Sequence, residues 1–133
     1  MEHPAINLIS NSGLVLRHFG YWPSLHDAVT ERVSFEVKPP AFRASAIFLI
    51  AACETTDEVD EDGSYNQVKH CNIELQFTGI QEMNFALDHQ PVVFGMRFEG
   101  NEQNIKCIYS SSAGTGIIVA EDTLVLSLTP TKR

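Results

Sequence analysis

The sequence predicts an α+β fold, mostly β: a curved antiparallel sheet or sandwich of about seven or eight strands with one short N-terminal helix. Three observations predict it. Apolar residues recur at every second position through most of the chain after Val29, which is the period of a half-buried strand. Turn signals cut these runs at Pro39-Pro40, Gly63, Pro91, Gly100-Asn101 and Gly114. A helical pattern occurs only before them. The 133 residues fit a single domain spanning 1–133, with no repeat, linker or low-complexity segment. At that length roughly two thirds of the unfolded surface can be buried, so the core needs no covalent staples.

The elements follow in order. SNSGLVLRHF, residues 10–19, reads as a short helix. Ser10, Asn11 or Ser12 can cap its start, and Gly20 can end it in a left-handed conformation. Pro23 then sets the chain direction. From Val29 the period becomes two: Val29, Val33, Phe35 and Val37 share one side, with Glu31 interrupting it. Ala44 to Cys53 is apolar on both sides, the pattern of a central strand covered on both faces. ETTDEVDED places six acids in nine residues, Glu54 to Asp62, before Gly63 and reads as a solvated hairpin loop. Cys71, Ile73, Leu75 and Phe77 then alternate with His70, Asn72, Glu74 and Gln76. Gly79 marks a bulge or turn before Met83, Phe85 and Leu87. Asp88 to Pro91 is a turn. Val92, Phe94, Met96 and Phe98 form the next apolar face, then Ile105, Cys107 and Tyr109. Ser110 to Gly116 reads as a loop, and two last strands follow, with Leu124, Leu126 and Leu128 facing one way.

Composition excludes several classes. Seventeen Asp and Glu against nine Lys and Arg give a net charge of −8. Phosphate backbones demand a basic face, so nucleic acid is not an expected partner. An anionic membrane surface is disfavoured for the same reason. A basic protein partner fits, because opposite fields speed encounter. Cys53, Cys71 and Cys107 are odd in number and unpaired in spacing, which predicts free thiols and a cytoplasmic protein. The N-terminal residues show no secretory signal, and the longest apolar run, Ala46 to Cys53, is too short to span a bilayer.

Catalytic and metal-binding patterns are missing. The five histidines have no metal spacing, and the sequence predicts no cofactor. The serines at 110–112 lie in no nucleophile motif, and Gly114 and Gly116 are followed by no phosphate-loop lysine. The adjacent His26-Asp27 pair suggests a metal site only if further ligands converge, and none is spaced to do so. A turn in which Ser24 or Asp27 caps nearby amides, with His26 packed on Trp22, explains it better.

Residues 19–37, FGYWPSLHDAVTERVSFEV, resemble the signature of the Immunity protein 50 family of bacterial polymorphic-toxin immunity proteins. Phe19, Gly20, Trp22, Pro23, Ser24, His26 and Asp27 carry the resemblance, and Leu25 stands where the pattern has an aromatic residue. The resemblance implies a small cytoplasmic protein that binds and neutralises a cognate toxin without catalysis. The expected partner-binding residues are Tyr21, Trp22, His26 and Asp27, joined by the acids Asp57, Glu58, Asp60, Glu61 and Asp62. Two other functions fit the residues: a small-molecule site or an unrecognised enzyme with a pocket near Trp22, His26 and Asp27, and an assembly domain whose sheet edge recruits another chain.

Overall fold

The computed structural model describes residues 4–38, 43–59, 61, 63, 65–84, 92–100, 103–112 and 114–131. A 3-10 turn, Pro4–Leu8, leads into helix α1, Ser12–Phe19. Six strands follow: β1 Val29–Lys38, β2 Arg43–Val59, β3 Tyr65–Asn84, β4 Val93–Gly100, β5 Ile105–Ser111 and β6 Gly114–Pro130. They form one antiparallel sheet in the order β1-β2-β3-β6-β5-β4. The sheet does not close, but its two outer strands meet at one point, where Val29 bridges Val92. Such an approach of first and last strands requires strong curvature, so the curved-sheet expectation holds and the two-sheet sandwich does not.

Six strands replace the seven or eight expected because interrupted runs are continuous. The runs on either side of Gly79 are one strand, β3, and the last two runs are one strand, β6. Gly79 sits at φ 65° within β3, so the chain does not turn there; the register with β6 holds from Thr78 to Ile80 and slips just beyond, between Ile80 and Glu82. Phe85, Leu87 and the turn at 88–91 lie outside the described residues.

The core lies on the face that α1 covers. It takes Val15 and Phe19 from the helix and Ala46, Phe48, Ile50 and Ala52 from β2. The other strands add Ile73, Leu75 and Phe77, then Phe98, Cys107 and Tyr109, then Ile118 and Val125. Phe48 and Phe77 meet edge to face at 5.6 Å, a geometry worth about 0.5–1.5 kcal/mol beyond the area it buries. The opposite face of β2, Ile47, Leu49 and Ala51, is only half-buried, so this strand is not covered equally on both sides.

Bulges shift several expected faces. The register slips between Thr30 and Arg32, so Thr30 turns inward with Ala28. Val33 packs on the core, but Phe35 and Val37 on the same side remain exposed. In β4 a slip between Val93 and Gly95 buries Val93 in place of Val92. In β6 a slip opposite Glu74 and Leu75 divides the three leucines. Val125 is fully buried, Leu126 is exposed, and Leu128 packs on the core.

Helix α1 starts two residues later than expected. Asn11 precedes it at φ 61° and makes no side-chain cap; its amide nitrogen Nδ2 donates to the Val125 carbonyl instead. Gly20 closes the helix at φ 87°, and its amide donates to the Leu16 carbonyl at 2.8 Å, as the left-handed ending requires.

Candidate functional site

The segment 20–28 joins α1 to β1 and runs along the outer side of β4. The Asp27 amide donates to the Val93 carbonyl at 2.8 Å, and the Val93 amide donates to the Ala28 carbonyl at 2.7 Å. The segment therefore acts as a clip that satisfies part of the β4 edge. Its turn is closed by the Ala28 amide donating to the Leu25 carbonyl, while the Ser24 hydroxyl accepts from the His26 amide at 3.3 Å. Leu25 and Asp27 both hold positive φ, 63° and 70°, where side chains are disfavoured. Burial of Leu25 and the bonds to β4 hold that strained geometry in place.

The clip separates the expected site residues. Trp22 is half-buried, packs on the core and meets Phe98 edge to face at 5.8 Å. Its indole Nε1 is buried and has no hydrogen-bond partner among the described residues. Trp22 is thus part of the packing and does not form a pocket with His26. His26 and Asp27 project outward as a pair, Nδ1 to Oδ2 3.2 Å, with their side chains 61% and 48% exposed. The turn brings these neighbours together, and His26 is paired to Asp27 where stacking on Trp22 was expected.

Tyr21 is also exposed. Its hydroxyl donates to Glu54 Oε1 at 2.6 Å, and this bond, followed by burial, raises its pKa above the ordinary 10.0. Glu54 in turn lies 3.7 Å from Lys69 Nζ, which donates to the Phe19 carbonyl at 3.0 Å. Lys69 occupies a bulge at φ 57°, and its own carbonyl accepts from His18 Nε2 at 2.8 Å. A cation on the last carbonyls of α1 stabilises the helix end. Neither Glu54 nor Lys69 was an expected site residue. Their tie to Tyr21 spans 33 and 48 positions, and no local pattern signals it.

Two open grooves flank this cluster. One, about 380 Å³, is lined by Tyr21, Pro23, Ser24, His26, Asp27 and Glu54 among others. The second, about 420 Å³, shares Asp27 and Cys53 with the first and extends to Glu31, His70 and Asn72. Trp22 lines neither. Among the described residues no three His, Cys, Asp or Glu side chains group to hold a metal ion.

The acidic run is not the loop expected from its composition. Residues 54–59 continue β2, which pairs with β3 as far as Val59 and Tyr65. Asp57 and Glu58 lie on this hairpin arm, Glu61 is exposed at the turn, and Asp60 and Asp62 fall outside the described residues. Among the described contacts, the clip meets the acidic run at Glu54. From there β2 runs five residues to Val59, roughly 17 Å of strand. Glu54 therefore joins the clip to the β2 arm on which Asp57 and Glu58 lie.

Other sequence features settle into plain roles. Ser110 and Ser111 belong to β5, and the Ser111 hydroxyl donates to the Gly114 carbonyl across the β5–β6 hairpin. Cys71 and Cys107 are fully buried, and burial raises both thiols, Cys71 to about 11. None of the helices among the described residues is long and apolar enough to cross a membrane. No protein-family model, curated protein or solved structure matches the chain.

Proposed function

We propose that this chain is a cytoplasmic immunity protein that binds and neutralises a cognate bacterial toxin domain, without catalysis. The reading starts from the resemblance of residues 19–37 to the Immunity protein 50 family. The observation that carries it further is the strained clip, which holds Tyr21, His26 and Asp27 exposed beside Glu54 on an open groove. Strained, exposed turns fixed by a rigid frame are where binding residues concentrate. An aromatic ring rimmed by carboxylates suits a basic protein surface, and the net charge of −8 adds long-range attraction.

Co-expression with the toxin domain encoded beside this chain tests the proposal. Rescue of growth is the expected result. A Tyr21→Ala, His26→Ala, Asp27→Ala triple variant keeps its fold and loses rescue. Reversing Asp60, Glu61 and Asp62 to Lys slows association and flattens its salt dependence. No rescue by the folded, expressed wild-type chain would overturn the reading and direct attention to small ligands in the two grooves.

A further inference from the structure

Two carboxylates and an exposed aromatic ring line the groove of about 380 Å³, and the two acids play different parts. Glu54 is committed to the frame. Its Oε1 accepts from the Tyr21 hydroxyl at 2.6 Å and lies 3.7 Å from Lys69 Nζ. Lys69 offsets the Glu54 charge, and the hydroxyl bond fixes the Tyr21 ring, which stays 48% exposed. Asp27 is held by its backbone, through the bond to Val93, and its side chain meets His26 through Oδ2. Asp27 also lines the second groove, of about 420 Å³, along which Glu31 follows. Among the described residues neither groove is lined by a lysine or an arginine.

We propose that the junction of the two grooves takes the guanidinium of an arginine side chain presented by the basic partner, with Asp27 as its anchor and the Tyr21 ring as its flat wall. This rests on the immunity reading only for the protein that owns the arginine.

The chemistry of the lining selects that group. A guanidinium is planar and weakly hydrated, stacks on aromatic faces and donates to carboxylates, whereas a lysine ammonium is compact and strongly hydrated. Asp27 Oδ1 is the oxygen it takes, because the His26 contact uses Oδ2. The Tyr21 ring needs little ordering on binding, since its hydroxyl is already tied to Glu54, and such pre-ordering lowers the entropy cost. Both grooves are open, so a small free ligand would stay largely wet in them. A side chain delivered on a protein surface brings its own cover, which is why the source is a protein arginine.

Titration of the isotope-labelled full chain with N-acetylarginine amide, read by backbone amide shifts, tests the site. Saturable shifts are expected at residues 24–28 and at Glu31, with a Kd on the order of millimolar. N-acetylcitrulline amide has the same shape without the charge and leaves these residues unmoved. The lysine analogue binds about threefold more weakly or worse. Asp27→Asn keeps a residue that tolerates φ 70° and lowers arginine affinity about threefold or more. Tyr21→Leu lowers it by a similar factor by removing the ring face. Circular dichroism confirms that both variants fold. No saturable shift overturns the proposal, as does equal binding of the citrulline compound or wild-type affinity in the folded Asp27→Asn chain. Free L-arginine binding about tenfold more tightly than its blocked form would assign the site to the amino acid and overturn the protein source. Rescue of growth without arginine binding removes this inference and leaves the immunity reading standing. Arginine binding without rescue keeps the guanidinium site and overturns its assignment to a toxin.

Discussion

At the scale of single residues, the polar pair inside the core has the clearest energetic consequence. Thr30 and Tyr109 are buried, and their hydroxyls meet at 2.8 Å across 79 positions of sequence. Thr30 faces inward only because of the slip after it, so the bond fixes the bulge as well as the ring. Tyr109→Phe removes one partner and leaves the Thr30 hydroxyl buried without it. Such a loss costs about 1–3 kcal/mol, more than the bond itself contributes. The expected result is a lower urea midpoint with an unchanged slope. Adding Thr30→Val to Tyr109→Phe removes both polar groups, so the double variant loses less than the sum of the singles. A strictly additive double variant would show that the two hydroxyls are not coupled.

At the scale of elements, bulges decide which parts of the fold could be foreseen. The helix, its Gly20 ending and the clean alternation of Ile105, Cys107 and Tyr109 were legible because each is a local pattern. Strand number and several strand faces were not. An extra residue in one strand reverses every later side chain, and Glu31 or Leu126 carries no compositional sign of doing so. Gly79 does carry one, but the strand runs through it in register and the slip lies just beyond, between Ile80 and Glu82. The candidate site divides the same way. Exposure of Tyr21, His26 and Asp27 follows from a turn that the sequence marks with Pro23 and Ser24. The inward packing of Trp22 and the Glu54–Lys69 support arise from long-range pairing that no window of sequence contains.

The positive φ of Gly79 can be tested directly. At φ 65° any Cβ is strained, at about 1–2 kcal/mol. A Cβ there would also come 2.5 Å from Glu121 Oε1 and 3.0 Å from Arg43 Nη2, the ion pair that lies over this position. Those atoms end flexible side chains and can move, so the backbone term dominates. Gly79→Ala is expected to destabilise by about 1–3 kcal/mol. Gly95→Ala is the control, since its Cβ meets nothing within 4 Å, and it should change stability by about 0.5 kcal/mol at most. Equal effects at the two sites would remove the argument from backbone conformation.

At the scale of the whole molecule, the core and the net charge act together at alkaline pH. Cys71 and Cys107 are fully buried and stay protonated in the folded chain, with Cys71 raised from 9.0 to about 11 and Cys107 raised further by burial. In the unfolded chain both ionise at ordinary values. Below pH 9 the two states hold these protons equally, so the thiols leave stability unchanged. Above it the unfolded state sheds protons that the folded state keeps, and stability falls by up to about 1.4 kcal/mol per pH unit for each thiol. Cys71 stops contributing above its own folded value of about 11. Tyr21 adds a loss of the same sign above 10.0, through its bond to Glu54.

Growing negative charge also destabilises the folded chain in this range, but that repulsion acts across the surface and weakens with salt. Proton retention by a buried thiol does not. Unfolding measured from about pH 8 to about 11 in high salt should therefore keep its downward slope, and Cys107→Ala should reduce it. Thiol labelling at neutral pH gives the matching kinetic result. Half-buried Cys53 reacts first, and Cys71 and Cys107 react only at the rate of opening. If salt abolishes the alkaline slope, surface repulsion is its cause and the buried thiols are not.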